Sequence, residues 1–239
     1  MAIALRLRQV VGARADGFRA TVSALAAAQG DRLAVGGPRG VGKSTILDII
    51  AGILRPASAN VFLATDGAAS FDVAALWRAN AANGLSAFRA RMIGYVMQTG
   101  GLAPFLTLRE NVALPFWRDG LKDAEGAIDA ILGELGLEGL GDRKPNAVSV
   151  GQRQRAAIAR ALVAAPPIVL ADEPTAALDP VTADAAMKTL TAAASARAAA
   201  VVLVTHDRGL AERHGFQILE CRSMGIGAAA LEPRQATPA

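Results

Sequence analysis

Residues 37–45 read GPRGVGKST, a G-x-x-x-x-G-K-[ST] pattern with Gly37, Gly42, Lys43 and Ser44 at its fixed positions. The pattern works only between a strand and a helix. Its glycines let the backbone wrap tightly and aim successive N–H groups inward, and the following helix presents its positive dipole end to the same point. RLAVG (32–36) reads as a short buried strand running into this turn, and STILDIIAGIL as the apolar helix that leaves it. Gly37, Pro38, Arg39, Gly40, Val41 and Gly42 are therefore expected to cradle the phosphates of a nucleoside triphosphate. Lys43 would neutralise β- and γ-phosphate charge, and the Ser44 hydroxyl, with Thr45 beside it, would offer a hard oxygen to Mg²⁺. Arg39 reaches either phosphate or solvent. Alone, the pattern leaves kinases, GTPases and recombinases open.

A second feature supplies acids. Residues 167–179, PIVLADEPTAALD, form an apolar strand ending in Asp172 and Glu173. Neighbours on a strand point to opposite faces, so the two carboxylates can serve two tasks. Asp172 would hold Mg²⁺, and Glu173 would act as general base on the attacking water.

Around these motifs the chain alternates. Residues 2–10 (AIALRLRQV) read as a strand with one exposed face. Residues 107–165 carry helical periodicity in LRENVALPF, AEGAIDAILGELGL and GQRQRAAIARALVAA. Strand character returns in PIVLAD (167–172) and AAVVLVTH (199–206), with a helical stretch from Val181 to Ala196 between them. That order predicts a parallel α/β sheet. The last fifteen or so residues, ending EPRQATPA, read as a frayed tail.

Composition narrows partners. The 25 basic residues face 21 acidic ones without a run of five or more, so the net charge of +4 reads as a mixed solvated surface, with no nucleic acid as partner. A single cysteine, Cys221, excludes an internal disulfide framework. Arg6, Arg8 and Arg14 interrupt any secretory h-region, and no stretch of eighteen residues lacks charge. If the chain works at a membrane, another chain spans it.

VSVGQRQRAAIARAL (148–162) precedes the acidic strand, VTHD with His206 ends the next one, and IGYVMQ contains Gln98. In this order, over roughly residues 2–222, the segments resemble the Walker A, Q-loop, signature, Walker B, D-loop and switch-histidine motifs of the ABC ATPase family. The resemblance implies a P-loop NTPase (RecA-like) α/β core with a parallel sheet, an N-terminal antiparallel β part and an inserted helical subdomain. Residues 1–98 and 166–222 would form the core, 99–165 the helical subdomain with the signature, and 223–239 a tail. It further implies that Ser149, Gly151 and Gln152 close over ATP held by a second copy of the chain. Gln98 would sense Mg²⁺ and the water, Asp179 would lie at the dimer seam, and His206 would contact the γ-phosphate. Phe18, nineteen residues before Gly37 and the only aromatic before residue 62, stands where the family stacks adenine, a role set against core packing.

Three positions depart from the family pattern. Val150 replaces the first signature glycine, Val148 the leucine before the serine, and Ala176 a common D-loop serine. A β-branched side chain at Val150 restricts the backbone and crowds the nucleotide. The segment TGGLAPFLTLRENVALPF after Gln98 is similar to that of the lipoprotein-release and macrolide-export branch, and Leu102, Phe105 and Leu106 are candidates for a groove gripping a membrane subunit. The implied function is an ATPase, with ATP and Mg²⁺ as cofactors, at the cytoplasmic face of the inner membrane. It would energise an integral membrane permease through a dimer of cassettes. A soluble ABC ATPase acting as a nucleotide-gated clamp in DNA repair, translation or cluster assembly is the alternative.

Overall fold

The computed structural model describes residues 3–117 and 124–232. β1 (Ile3–Ala13) and β2 (Arg19–Ala28) form an antiparallel hairpin, and β3 (Arg32–Gly36) then delivers the chain to the Gly-rich turn and α1 (Lys43–Ile50). β4 (Pro56–Thr65) returns along β1, and β5 (Ser70–Asp72) edges the sheet. α2 (Val73–Arg78) and α3 (Ala82–Met92) lead to β6 (Ile93–Val96). Between β6 and the acidic strand lie α4 (Leu108–Trp117), α5 (Ala124–Glu134), a 3-10 turn (Pro145–Ala147) and α6 (Val150–Leu162). β7 (Ile168–Asp172), α7 (Pro180–Ala196), β8 (Ala200–Val204), α8 (Arg208–Arg213), β9 (Gln217–Ser223) and β10 (Ala228–Leu231) follow in the described residues.

Among the described residues the strands form one ten-stranded sheet in the order β5-β4-β1-β2-β10-β9-β3-β8-β7-β6. Its first four strands are antiparallel, while β9, β3, β8, β7 and β6 run parallel. The pleat decides which core each residue enters. Leu33, Val35, Ile168, Leu170, Val202 and Val204 face one core, where Ile46, Leu47, Ile49 and Ile50 of α1 are fully buried against Leu5, Leu7 and Phe62. Ala34, Val169, Ala171, Val201 and Leu203 face the other, covered by α6 and α7. Both faces of the parallel block are buried, which is why its strands read as continuous apolar runs. Burying α1 between two sheet regions anchors the turn at its N-terminus, since each such side chain is worth about 1.5–3 kcal/mol.

One expectation needs correction. Residues 223–239 read as a tail, yet β10 adds to the sheet, parallel to β2 and antiparallel to β9, with Ala229, Ala230 and Leu231 buried. Four alanine-rich residues carry little periodic signal; the backbone ladder and the fit of small side chains beneath the sheet hold them. The remainder of that tail, 233–239, lies outside the described residues. Among the described residues no helix is long and apolar enough to cross a membrane.

Candidate nucleotide site

The turn after β3 is shaped by contacts that leave no room for side chains. Gly42 caps α1 at φ 105°, a left-handed conformation that glycine adopts without steric cost. A Cβ there would fall 2.5 Å from the Phe18 ring, so Phe18 lies directly on the loop. Gly37 is closed against the Cys221 carbonyl of β9. Lys43 is 5% exposed, and its Nζ donates to the carbonyls of Gly37 and Pro38, each at 2.9 Å. Folded this way, the ammonium sits over the loop where phosphate charge would be met. Thr45 is buried beneath, while Pro38, Arg39 and Gly40 are exposed on the rim.

Ser44 Oγ donates to Asp172 Oδ1 at 3.2 Å, joining the start of α1 to the end of β7. Burial pushes the Asp172 carboxyl above its usual range; the Ser44 bond and Lys43 oppose the shift, and Glu173 adds to it. Asp48, one turn further along α1, is raised first by burial and then by Asp172, so this end of the sheet gathers negative charge that a cation would relieve. Among the described residues no three His, Cys, Asp or Glu side chains form a metal cage. One hydroxyl, one strand-end carboxylate and phosphate oxygens are the donor set that suits Mg²⁺, which keeps waters and shares phosphates rather than entering all-protein cages.

Glu173 departs from the strand geometry read from sequence. β7 ends at Asp172, and Glu173 turns into a left-handed backbone at φ 42°, held by its N–H donating to the Val204 carbonyl at 2.9 Å. The two carboxylates therefore diverge at a break in the strand rather than by its pleat. Such a conformation costs about 1–3 kcal/mol in a non-glycine residue and recurs at active sites. His206 Nδ1 lies 3.2 Å from Glu173 Oε2, and Arg39 Nη2 lies 3.4 Å from His206 Nε2. A guanidinium only donates, so Nε2 accepts and Nδ1 carries the proton that points at Glu173. Arg39, exposed on the rim of the loop, thus lies against His206, two residues beyond the end of β8. Gln98 is exposed two residues beyond β6, whose last residue Val96 pairs with Ala171, so the turn that carries Gln98 leaves the sheet from the strand next to the one that ends at Asp172.

The other candidates gather elsewhere. Ser149 caps α6 in a reciprocal box, its Oγ accepting from Gln152 N–H at 3.2 Å and Gln152 Oε1 accepting from Ser149 N–H at 2.8 Å. Asp179 caps α7 through Val181 and Thr182 N–H, and hydrogen bonding from Thr182 holds its carboxyl below the usual range. Ser149, Val150, Gly151, Leu178, Asp179 and Val181 line a cavity of about 610 Å³ to which no residue of 37–45 contributes. Val150 and Val181 are 46% and 80% exposed beside it. His214 is a structural tie, its Nε2 2.9 Å from Asp184 Oδ1 on α7.

Known proteins share this fold. The model of the ABC transporter family matches residues 22–176. The lipoprotein-releasing system ATP-binding protein LolD of Chromohalobacter salexigens is 40% identical over 184 residues, covering 76% of this chain and 74% of that protein. The uncharacterised ABC transporter ATP-binding protein YknY of Bacillus subtilis is 39% identical over 186 residues, covering 77% and 76%. Among solved structures, the dimeric post-hydrolysis state of the ATP-binding cassette MJ0796 bound to ADP and Pi is 31% identical and covers 96% of this chain and 97% of its own, with a TM-score of 0.74. CbiO1 of Clostridium perfringens, part of the ABC transporter complex cbiONQ, is 26% identical and covers 97% and 88%, with a TM-score of 0.79. These relatives favour the transporter reading over the soluble clamp, and a family match over more than half of the chain decides the question: it belongs to the ABC transporter family, as an ATP-binding subunit that hydrolyses ATP.

Proposed function

We propose that two copies of this chain close over ATP and transmit the closure to a separate integral membrane permease, at the cytoplasmic face of the inner membrane. The observation that carries the reading is the separation of the two candidate clusters. The cradle, acid pair and His206 stand together, while Ser149, Gly151 and Asp179 line a different cavity with exposed valines around it, and Gln152 closes the capping box on Ser149. A signature that does not face its own phosphate loop becomes useful when a second copy supplies the loop.

In this reading residues 37–45 and Lys43 hold the phosphates, Glu173 takes the proton of the attacking water, and His206 orients Glu173 and reaches the γ-phosphate. Ser44, Asp172 and Gln98 would hold Mg²⁺, which supplies charge neutralisation at the phosphates. Phe18 stacks on the adenine while its other contacts rest on Gly42. Phe18→Ala is expected to weaken ATP binding about 5- to 150-fold, the equivalent of about 1–3 kcal/mol of stacking. Equilibrium titration with ATP tests this, and Phe18→Leu separates the roles. Native affinity in Phe18→Leu would make Phe18 a packing residue.

The membrane side is read from residues 102–107. Asn111, fully buried on α4, accepts from Ala103 N–H at 2.7 Å and donates to the carbonyls of Ala103, Leu106 and Thr107, fixing this segment. Phe105 stands 73% exposed on it, beside half-buried Leu102 and Leu106. An exposed phenylalanine on a pinned loop suits a groove for a helix of the permease. The similarity to LolD proteins supports a lipoprotein-release or related export branch. ATPase rate is expected to change when the cognate membrane subunit is added, and Phe105→Asp to remove that response while basal hydrolysis stays within about twofold, since the side chain is exposed. A response retained in Phe105→Asp would place the contact elsewhere.

A further inference from the structure

Gln98 stands in a tight turn whose far end is gripped by the signature helix. Gly100 N–H donates to the Met97 carbonyl at 2.8 Å, closing Met97–Gly100 around Gln98. Gly100 and Gly101 follow at φ +74° and +58°, which turns both of their carbonyls the same way. One guanidinium receives the pair: Arg160 Nη2 donates to Gly100 O at 2.8 Å and Nη1 to Gly101 O at 2.7 Å. Gly100 also lies against α6 itself, a Cβ on it falling 3.5 Å from the Cβ of Ala157.

Two features separate this from an ordinary surface contact. The guanidinium is partly buried without a carboxylate to balance it among the described residues, and burial disfavours its charge. The price of that placement is met by the two carbonyls. A planar fork on consecutive carbonyls fixes rotation as well as distance, which a lysine cannot do. Arg160 also lies eleven residues after Ser149 on one uninterrupted helix.

We propose that Arg160 is a positioning residue for hydrolysis: its fork on Gly100 and Gly101 holds the Met97–Gly100 turn so that Gln98 faces the acid pair at the end of β7, and ties that orientation to the helix that starts at Ser149. The proposal deepens the reading of Gln98 given above and rests on it. In the dimer, Ser149 meets the partner's ATP while Arg160 sets Gln98 at the chain's own ATP. A single rigid helix then joins the two sites, and any shift of α6 on engaging the partner's nucleotide carries Gly100 and Gly101 with it.

The test is a double-mutant cycle on steady-state ATP hydrolysis, using Gln98→Ala, Arg160→Lys, Arg160→Gln and the two doubles. Arg160→Lys is expected to lower kcat about 10- to 100-fold, the scale of a small misplacement in an active site, with KM for ATP within about twofold. In the Gln98→Ala background the same change is expected to cost less than about twofold, because Arg160 acts through Gln98. Losses that multiply would overturn the proposal, as would native kcat in both Arg160 variants. Loss of cooperative thermal unfolding in both would make Arg160 a residue of the fold only, and overturn it too. Native turnover in Gln98→Ala alone removes the role read for Gln98 and the proposal with it, a result distinct from multiplying losses, in which Gln98→Ala is slow.

Discussion

Glu173→Gln is expected to bind ATP like the native chain and to hydrolyse it more slowly by a factor on the order of 10² to 10⁴, the usual contribution of a positioned general base. The amide has the shape of the carboxylate and keeps an oxygen toward His206 Nδ1, so the contact at 3.2 Å survives. Its backbone constraint, the N–H bond to Val204, does not involve the side chain. What is lost is the ability to take a proton. Lys43→Ala behaves in the opposite way, because its ammonium meets phosphate charge in ground state and transition state alike, and affinity falls first. ATP titration beside turnover, both with Mg²⁺, separates the two variants. Native turnover in Glu173→Gln would take the base role from it.

The second large effect appears only on mixing. Lys43→Ala damages the loop of both sites in a C2 pair, and Ser149→Arg places a bulky cation where each signature should close; each pure variant is expected to be nearly inactive. If chains exchange freely, half of the dimers in an equal mixture pair one variant with the other. Each such dimer holds one site with both lesions and one with none, so about a quarter of native sites return. Independent sites give that fraction of native ATPase, measured after co-incubation. Separately placed clusters in the single chain make this recovery possible; a signature reaching its own loop would forbid it.

Legibility in the sequence followed the range of the interactions. The Gly-rich turn between strand and helix, and the strand that ends at Asp172, are legible because the spacing of nine or so consecutive residues determines them. RLAVG forms β3 at Arg32–Gly36, PIVLAD contains β7, and the helical stretch from Val181 is α7 with Asp179 as its cap. β10 was not readable: its alanines are neutral in pattern, and its partners on β2 lie some two hundred residues earlier. The left-handed turn at Glu173 has no local signature, since it follows from a bond to β8 across the sheet. Arg39 against His206 joins residues 167 apart in the chain, and Arg160 on Gly100 joins residues 60 apart. Val150 is a case of partial legibility. Its departure from glycine stands out in the motif, and the structure adds that it is half exposed at the first turn of α6, on the face that the proposed partner would cover.

Two copies closing over ATP is the central claim, and the size of Glu173→Gln in solution tests it most directly. Blocking hydrolysis should trap the closed state, so this variant is expected to elute from a sizing column as a monomer without nucleotide and as a dimer with ATP and Mg²⁺. Adding Ser149→Arg to the same chain should return it to a monomer under both conditions. A Glu173→Gln chain that remains monomeric with saturating ATP, or a dimer indifferent to both nucleotide and Ser149→Arg, would contradict the composite site.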